Sequence, residues 1–477
     1  MHAFTLKPRG AGFELVGRHE FLWGSLVTDV DFGPDGYLYV SDWVWGWAKP
    51  NKGRIYRIRA PQTHLSPITG PVVREVQRLL AEGMAGRGEE ELAELMGHAD
   101  RRVRLEAQLE LASRGSRAMP TLRSLVAQTD SRLARLHAVW GLGQIYRRSF
   151  LAPLELYELT VDLDPEVRAQ AARCLADVRT FDSTEALLPL LEDPLPRVRF
   201  FAALGLGRGG RSESIEPLLE LLRRNADTDP YLRHAGVMGL TWIGDVPALL
   251  ARADDSSPAA RMGVLLALRR LEHPEVARFL GDPDPLIALE AARAVYDVPI
   301  PSGTAALAAR IDGPPTDSAP LLRRVLAAAH RLGEAPHAEA VARFAARADA
   351  PEAARIEALE LLAAWQHPPP RDRVTNAWRP VVDPAAGGSR PADFLPATVD
   401  SLYREFVLTG RFRGEPAAVQ LALVDLFGAL RHAEAGGLLL QIAGEAERPP
   451  GLRTRCLEVL AELGDPELSQ DLSLIHI

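Results

Sequence analysis

From about Gln77 onward, apolar residues recur at helical spacing in short blocks, each opened by an aspartate, often with proline, and a Val-Arg or Leu-Arg step. The clearest block reads Asp164-Pro165-Glu166-Val167-Arg168-Ala169-Gln170-Ala171-Ala172. Asp193-Pro194-Leu195-Pro196-Arg197-Val198-Arg199-Phe200-Phe201-Ala202-Ala203 repeats it, and weaker copies start at Asp100, Asp130, Asp229, Asp255, Asp282, Asp317 and Ala350. The motif arginine falls at Arg104, Arg135, Arg168, Arg199, Arg233 and Arg261, a period near 31 residues. Self-similarity at that period predicts stacked helical pairs, each burying its apolar face only against its neighbours. An A helix, such as Glu185–Leu191 or Ile215–Leu222, precedes each aspartate, and a B helix follows it. Aspartate suits the N-cap because its carboxylate accepts the free amides of the first turn, and proline loses no hydrogen bond at the next position. Arg168 sits one turn beyond Asp164, placed to pair with an aspartate for a few tenths of a kcal/mol if exposed.

Before Ala60 the period is two. Val27–Phe32 alternates, Gly33-Pro34-Asp35-Gly36 turns, and Tyr37–Asp42 alternates back, which predicts a β-hairpin. Gly53–Ile58 supplies a third strand and Phe13–Val16 an outer one. Three or four strands make one propeller blade, whose open edges need neighbours. Helical periodicity fails near Gln366, where His367-Pro368-Pro369-Pro370 and Asp383–Pro391 form a Pro/Gly-rich break, and resumes at Val399. The predicted organisation is a blade remnant at 1–61, a connecting segment at 62–89, a solenoid at 90–366, a loop or linker at 367–396, and further helical repeats at 397–471. The fold class is mainly α: a right-handed solenoid of roughly ten helical pairs with a small N-terminal antiparallel β-sheet. The last six residues, Leu472-Ser473-Leu474-Ile475-His476-Ile477, match the translation of a common transposase sequencing adapter. We therefore treat 472–477 as an artefact, and both ends as cuts.

Charge narrows the partners. The chain of 477 residues carries a net charge of -8, with +2 over 1–61 and -10 over the remainder. A mildly acidic solenoid is a poor match for phosphate backbones, so protein partners or neighbouring domains of the same polypeptide are expected rather than nucleic acid. All three lysines, Lys7, Lys49 and Lys52, fall in the first 61 residues, and every later cation is arginine, a bias we ascribe to a GC-rich genome. No apolar run is long enough to span a bilayer, and Met1-His2-Ala3-Phe4 lacks the charged start of a signal peptide. Cys174 and Cys456 each sit among Ala and Leu in a helical pattern, as small buried hydrophobes.

Candidate chemistry is sparse. Gly205-Leu206-Gly207-Arg208-Gly209-Gly210 spells a dinucleotide fingerprint, but it ends a helix instead of following a strand, so its glycines read as caps and a turn. Asp31-Phe32-Gly33 lacks the other kinase motifs. His137, His234 and His330 share a phase within B helices, which favours packing over metal binding. Asp29, Asp31, Asp35 and Asp42 cluster near one turn; they suit backbone capping better than a hard cation. Trp43, Trp45 and Trp47 alternate and suit packing between blades better than ligand stacking. No HExxH, GxSxG or CxxC occurs, and we assign no catalytic, cofactor-binding or metal residues.

The helical part resembles HEAT repeats of the bacterial kind, seen also in phycobilin-lyase-like proteins; residues 90–365 fit. His19-Glu20-Phe21-Leu22, Val27 through Trp43, Gly46-Trp47 and Lys52-Gly53-Arg54-Ile55-Tyr56-Arg57 resemble something narrower. They look like the last propeller blade joining HEAT repeats in putative membrane-bound dehydrogenases, the PVC-type haem-binding proteins. That resemblance implies an exported, extracytoplasmic protein with an N-terminal propeller, a HEAT array and a c-type haem domain carrying CxxCH. This chain has no CxxCH, so no cofactor and no dehydrogenase chemistry are expected within it. The expected role is a non-catalytic scaffold of a larger redox protein. The alternative is a free-standing lyase-like protein handling a bilin-type chromophore, which requires a polar cleft lined by His, Tyr and acids.

Overall fold

The computed structural model describes residues 1–44, 51–59, 66–67, 69–128, 130–178, 182–381 and 390–464. Trp45, Trp47, the stretch from Asp383 to Ser389 and the tail Leu472–Ile477 lie outside them. The chain forms two units, Met1–Ala267 and Leu268–Ile477. Its fold is a mostly helical, HEAT-like solenoid with a small antiparallel β region at the N-terminal end.

The first unit opens with β1 (His2–Arg9), β2 (Gly12–Glu20), β3 (Val27–Phe32), β4 (Leu38–Asp42) and β5 (Arg54–Ile58). These make two sheets, β1-β2 and β3-β4-β5. The predicted hairpin is β3-β4, turning at Gly36, whose φ of 74° is left-handed and suits glycine. The expected outer strand lies within β2, but it pairs with β1 from His2↔Glu20 to Arg9↔Gly12. The eight-residue match to His2–Arg9, a strand the sequence pattern does not signal, claims it, and among the described residues β3 is an edge of its sheet.

Helices follow: α1 (Thr69–Glu82), α2 (Glu89–Leu95), α3 (Arg101–Ser113), α4 (Met119–Gln128), α5 (Arg132–Arg147), α6 (Leu154–Glu158), α7 (Pro165–Asp177), α8 (Thr184–Leu187), α9 (Pro196–Gly209), α10 (Ile215–Asn225), α11 (Pro230–Ile243), α12 (Val246–Leu250) and α13 (Pro258–Arg270). Helix α1 occupies much of the stretch 62–89 expected only to connect. The B helices α3, α5, α7, α9 and α11 pack side by side. Between them lies a core of small and branched residues including Val103, Val139, Val167, Ala172, Val198 and Leu240. Close approach in the middle is set by glycine: a Cβ on Gly207 would overlap the Gly239 backbone. Gly205 and Gly207 are therefore buried packing positions inside α9, not caps as expected; Gly210, at φ 70°, is the cap.

The aspartate caps form at Asp100, Asp164 and Asp229, whose carboxylates accept the amides of Arg102 (2.8 Å), Glu166 (2.8 Å) and Tyr231 (2.9 Å). Asp130, Asp193 and Asp282 are not N-caps. Ser131 caps α5. In the doubled Asp-Pro-x-Pro blocks the second proline takes the first helical position, so the cap moves forward to Leu195, and to Asp284 for the helix beginning at Pro285. Arg168 pairs with Asp193 of the next repeat, not with an aspartate of its own turn: Nε lies 2.7 Å from Oδ2 and Nη2 3.1 Å from Oδ1. Its Nη1 donates to the carbonyls of Asp162 and Leu163. Arg104, Arg199 and Arg261 brace their own Asp-turn carbonyls in the same way. Arg135 reaches Val126 O (2.9 Å) and Asp162 (2.5 Å). Arg233 approaches Asp227 at 3.7 Å.

The second unit continues with α14 (Pro285–Asp297), α15 (Thr304–Ala308), α16 (Ala319–Leu332), α17 (Ala335–Ala346), α18 (Glu352–Ala363), α19 (Pro391–Tyr403), α20 (Ala417–Ala429), α21 (Gly436–Gly444) and α22 (Pro450–Leu463). The Pro-rich stretch after Gln366 is a loop tied to the array. Tyr296 Oη donates to the buried Asp372 carboxylate at 2.6 Å, Arg331 donates to Arg379 O at 3.0 Å, and Arg379 donates to Tyr296 O at 2.9 Å. Helix α19 already begins at Pro391, inside the expected loop 367–396. Arg355 repeats the bracing device: Nε donates to Ala345 O (2.9 Å) and Nη2 pairs with buried Glu415 (2.7 Å).

Candidate interaction surface

A continuous side-chain ladder crosses α3, α5, α7 and α9. His137 stands between Gln108 and Arg104: Nδ1 lies 2.7 Å from Gln108 Oε1, and Arg104 Nε donates to Nε2 at 3.2 Å. Because a guanidinium only donates, Nε2 accepts and Nδ1 carries the proton. Burial, aided by the Arg104 charge, pushes His137 down to about 4, so it is neutral. Its ring stands edge-on to Trp140, with centroids 4.9 Å apart. Trp140 Nε1 donates to Gln170 Oε1 (2.9 Å), and Gln170 Nε2 donates to Glu166 (2.7 Å). Arg197 Nε donates to both Glu166 oxygens, at 2.9 and 3.1 Å. The Arg197 guanidinium lies 5.1 Å from the Phe201 ring centroid and 5.7 Å from that of Phe13, on the β1-β2 hairpin. Further along, Arg208 pairs with Asp177 and lies over Trp242 at 5.2 Å.

The hairpin rests on the same end of the B helices. Ala11 N–H donates to Asp229 Oδ2 at 2.7 Å, while Oδ1 caps α11. The three-stranded sheet is held elsewhere, by Arg102 Nη1 to Gly33 O (2.6 Å) and Gln77 Nε2 to Asp35 O (2.5 Å).

This arrangement presents partly exposed aromatics and arginines, each already held by a partner. Aromatic and arginine side chains fixed in place are what protein interfaces use as anchors. His137 and His330 are both buried, and His330 stands edge-on to Trp365 at 4.9 Å, so packing is their role; His234, expected to pack with them, is exposed in α11. Asp29 and Asp31 each accept their neighbour's amide, Asp35 binds Tyr37 N–H and Tyr39 Oη, and Asp42 accepts Leu26 N–H. The four aspartates thus turn to their own backbone and neighbours. Cys174 and Cys456 are buried in separate helices, and desolvation pushes each thiol up to about 12. They do not fit the attachment of a c-type haem, which needs two nearby thiols and a following histidine. The aromatic members of the ladder were missed in the sequence because Trp140, Phe201 and Trp242 do not recur at one fixed motif position.

Fold and surface define an α-helical repeat scaffold. A family model described as HEAT repeats matches residues 153–228 and 215–281. No curated protein sequence matches the chain. Similar solved structures include an engineered protein (23% identity, 44% of this chain and 96% of that one, TM-score 0.28). Importin beta is similar over 85% of this chain and 62% of its own (12% identity, TM-score 0.37). The CpcE–CpcF complex of phycocyanin lyase from Nostoc sp. PCC7120 is similar over 53% of this chain and 95% of that one (24% identity, TM-score 0.24).

Proposed function

We propose that this chain is the docking scaffold of a larger extracytoplasmic redox protein, receiving a neighbouring domain or partner polypeptide on the face built by Trp140, Arg197, Phe201 and Trp242. The observation that carries the docking role is the side-chain ladder, which holds aromatic and cationic anchors in place before any partner arrives and so lowers the ordering cost of binding. The redox context rests on the resemblance of 19–57 to the blade that joins propeller and HEAT array. The edge position of β3 and the exposed Phe4, Leu6, Phe13 and Leu15 of the hairpin are consistent with further β-structure beside them.

The test is to sequence the locus, express the flanking domains, and titrate them against this chain. Arg197→Glu and Trp140→Ala should each weaken binding at least about tenfold. Equal binding by parent and both variants would refute the assigned face. A gene encoding neither a propeller nor a CxxCH domain would remove the redox context and leave the scaffold.

A further inference from the structure

Between the end of α19 and the α20–α21 connection, Asp400, His432 and Glu434 bring one ligand atom each to within 4.8 Å of one another. We propose that they bind a divalent transition cation of the Zn²⁺ class, tying α19 to that connection.

His432 is the anchor. Its side chain is only 10% exposed. Tyr403 at 5.1 Å and Phe427 at 5.6 Å flank the ring. The backbone is fixed by His432 N–H donating to Phe427 O at 2.9 Å. Arg431 just before it holds a left-handed φ of 50°, a strained conformation for a side chain of that size. Against that preparation, the ring's Nε2 is buried and makes no hydrogen bond. The Glu434 carboxylate stands 3.4 Å from it without making a hydrogen bond to it. A buried ring nitrogen without a hydrogen bond is costly, and a cation on its lone pair removes that cost.

The donor set selects the ion. One imidazole and two carboxylates suit zinc and its neighbours, while magnesium and calcium favour oxygen alone. Zinc bonds of about 2.0–2.2 Å place tetrahedral ligands roughly 3.4 Å apart; Glu434 already stands at that distance from His432 Nε2, and Asp400, within 4.8 Å of both, needs only a small side-chain shift. Glu434 is 68% exposed and free to adjust. Asp400 is shared with Arg404 at 2.9 Å, and that arginine, also 68% exposed, can turn outward. Two carboxylates balance the ion's charge, and water completes the shell.

The experiment is calorimetric titration of the chelator-treated full chain with Zn²⁺ alone, and with Mg²⁺ as the comparison. One Zn²⁺ per chain should bind in the micromolar range, with no heat from Mg²⁺. Asp400→Asn and Glu434→Gln should each weaken that event at least about tenfold, and His432→Ala should remove it. Glu434→Gln lies at the surface, so its fold, checked by circular dichroism, keeps the test interpretable if His432→Ala does not fold. A parent that takes up no Zn²⁺, or Zn²⁺ binding equal in parent, Asp400→Asn and Glu434→Gln, would overturn the site.

Discussion

Asp193→Ala tests how neighbouring repeats are joined. The carboxylate is 5% exposed and serves two repeats at once. Oδ1 accepts Leu195 N–H at 2.8 Å, holding the turn into α9, and both oxygens face Arg168 from the preceding repeat. Removing the turn bond costs about 1 kcal/mol, as for a lost cap. Removing two charge-assisted bonds leaves a half-buried guanidinium with only carbonyl partners, which costs about 2 kcal/mol more. The sum is about 3 kcal/mol, well above the few tenths of an exposed pair. Asp193→Asn keeps an acceptor for Leu195 and should cost about half as much. In a cycle with Arg168→Ala the two losses should overlap by roughly 1–2 kcal/mol. Urea unfolding followed by circular dichroism gives the totals, and amide exchange in the first turn of α9 localises them. A loss under about 0.5 kcal/mol for Asp193→Ala, or strict additivity with Arg168→Ala, would refute the reasoning.

Three further outcomes follow from the packing. Gly207→Ala should lower stability by about 1–3 kcal/mol because the new methyl meets backbone rather than a movable side chain; Gly437→Ala, in α21 with open space around it, should gain a few tenths to about 1 kcal/mol, and the difference in melting temperature checks both. His137 and His330 are each pushed down to about 4 by burial from an unfolded value near 6.5. Their contribution is therefore complete above pH 6.5 and is lost as pH falls toward 4, on the order of 3 kcal/mol each. His330→Phe, which keeps an aromatic edge on Trp365, should flatten the fall in urea midpoint between pH 6.5 and 4 relative to the parent. Tyr296→Phe should cost about 1.5–3 kcal/mol by removing the bond to Asp372, and should speed proteolysis within 367–381, read by mass spectrometry.

What the sequence made legible was whatever repeats. Period, helix class and the Asp-turn devices all rest on local rules of capping and amphipathicity, so Asp164 and Asp229 fall where expected. Doubled signals misled: in Asp193-Pro194-Leu195-Pro196 two prolines compete for the first helical position, and only the structure shows the second prevailing. Arg168 was readable as a pairing residue but not its partner, because a bond across repeats depends on how far one pair is rotated against the next. The side-chain ladder was invisible for the same reason. His137 and Trp140 of α5, Gln170 of α7 and Arg197 of α9 meet only through inter-helical register. The strand at His2–Arg9 was hidden because its alternation is weak and both its faces are exposed.

A stack of helical pairs is ordinarily a near-neighbour object, in which any part can assemble once the part beside it has. The bond from Ala11 to Asp229 breaks that locality, joining positions 218 residues apart, while the sheet that follows the hairpin in sequence is fastened to the N-terminal end of α3. The first forty-odd residues thus act as a strap between early and late turns of the same unit. A repeat inside the strapped span does not loosen alone, since its opening strains a contact on either side. Closing so large a loop is slow, so folding of this unit divides into rapid growth of helices and a later, separate fastening of the hairpin. Cutting the chain between Glu20 and Val27 would return the array to free end-to-end fraying, with its helices intact.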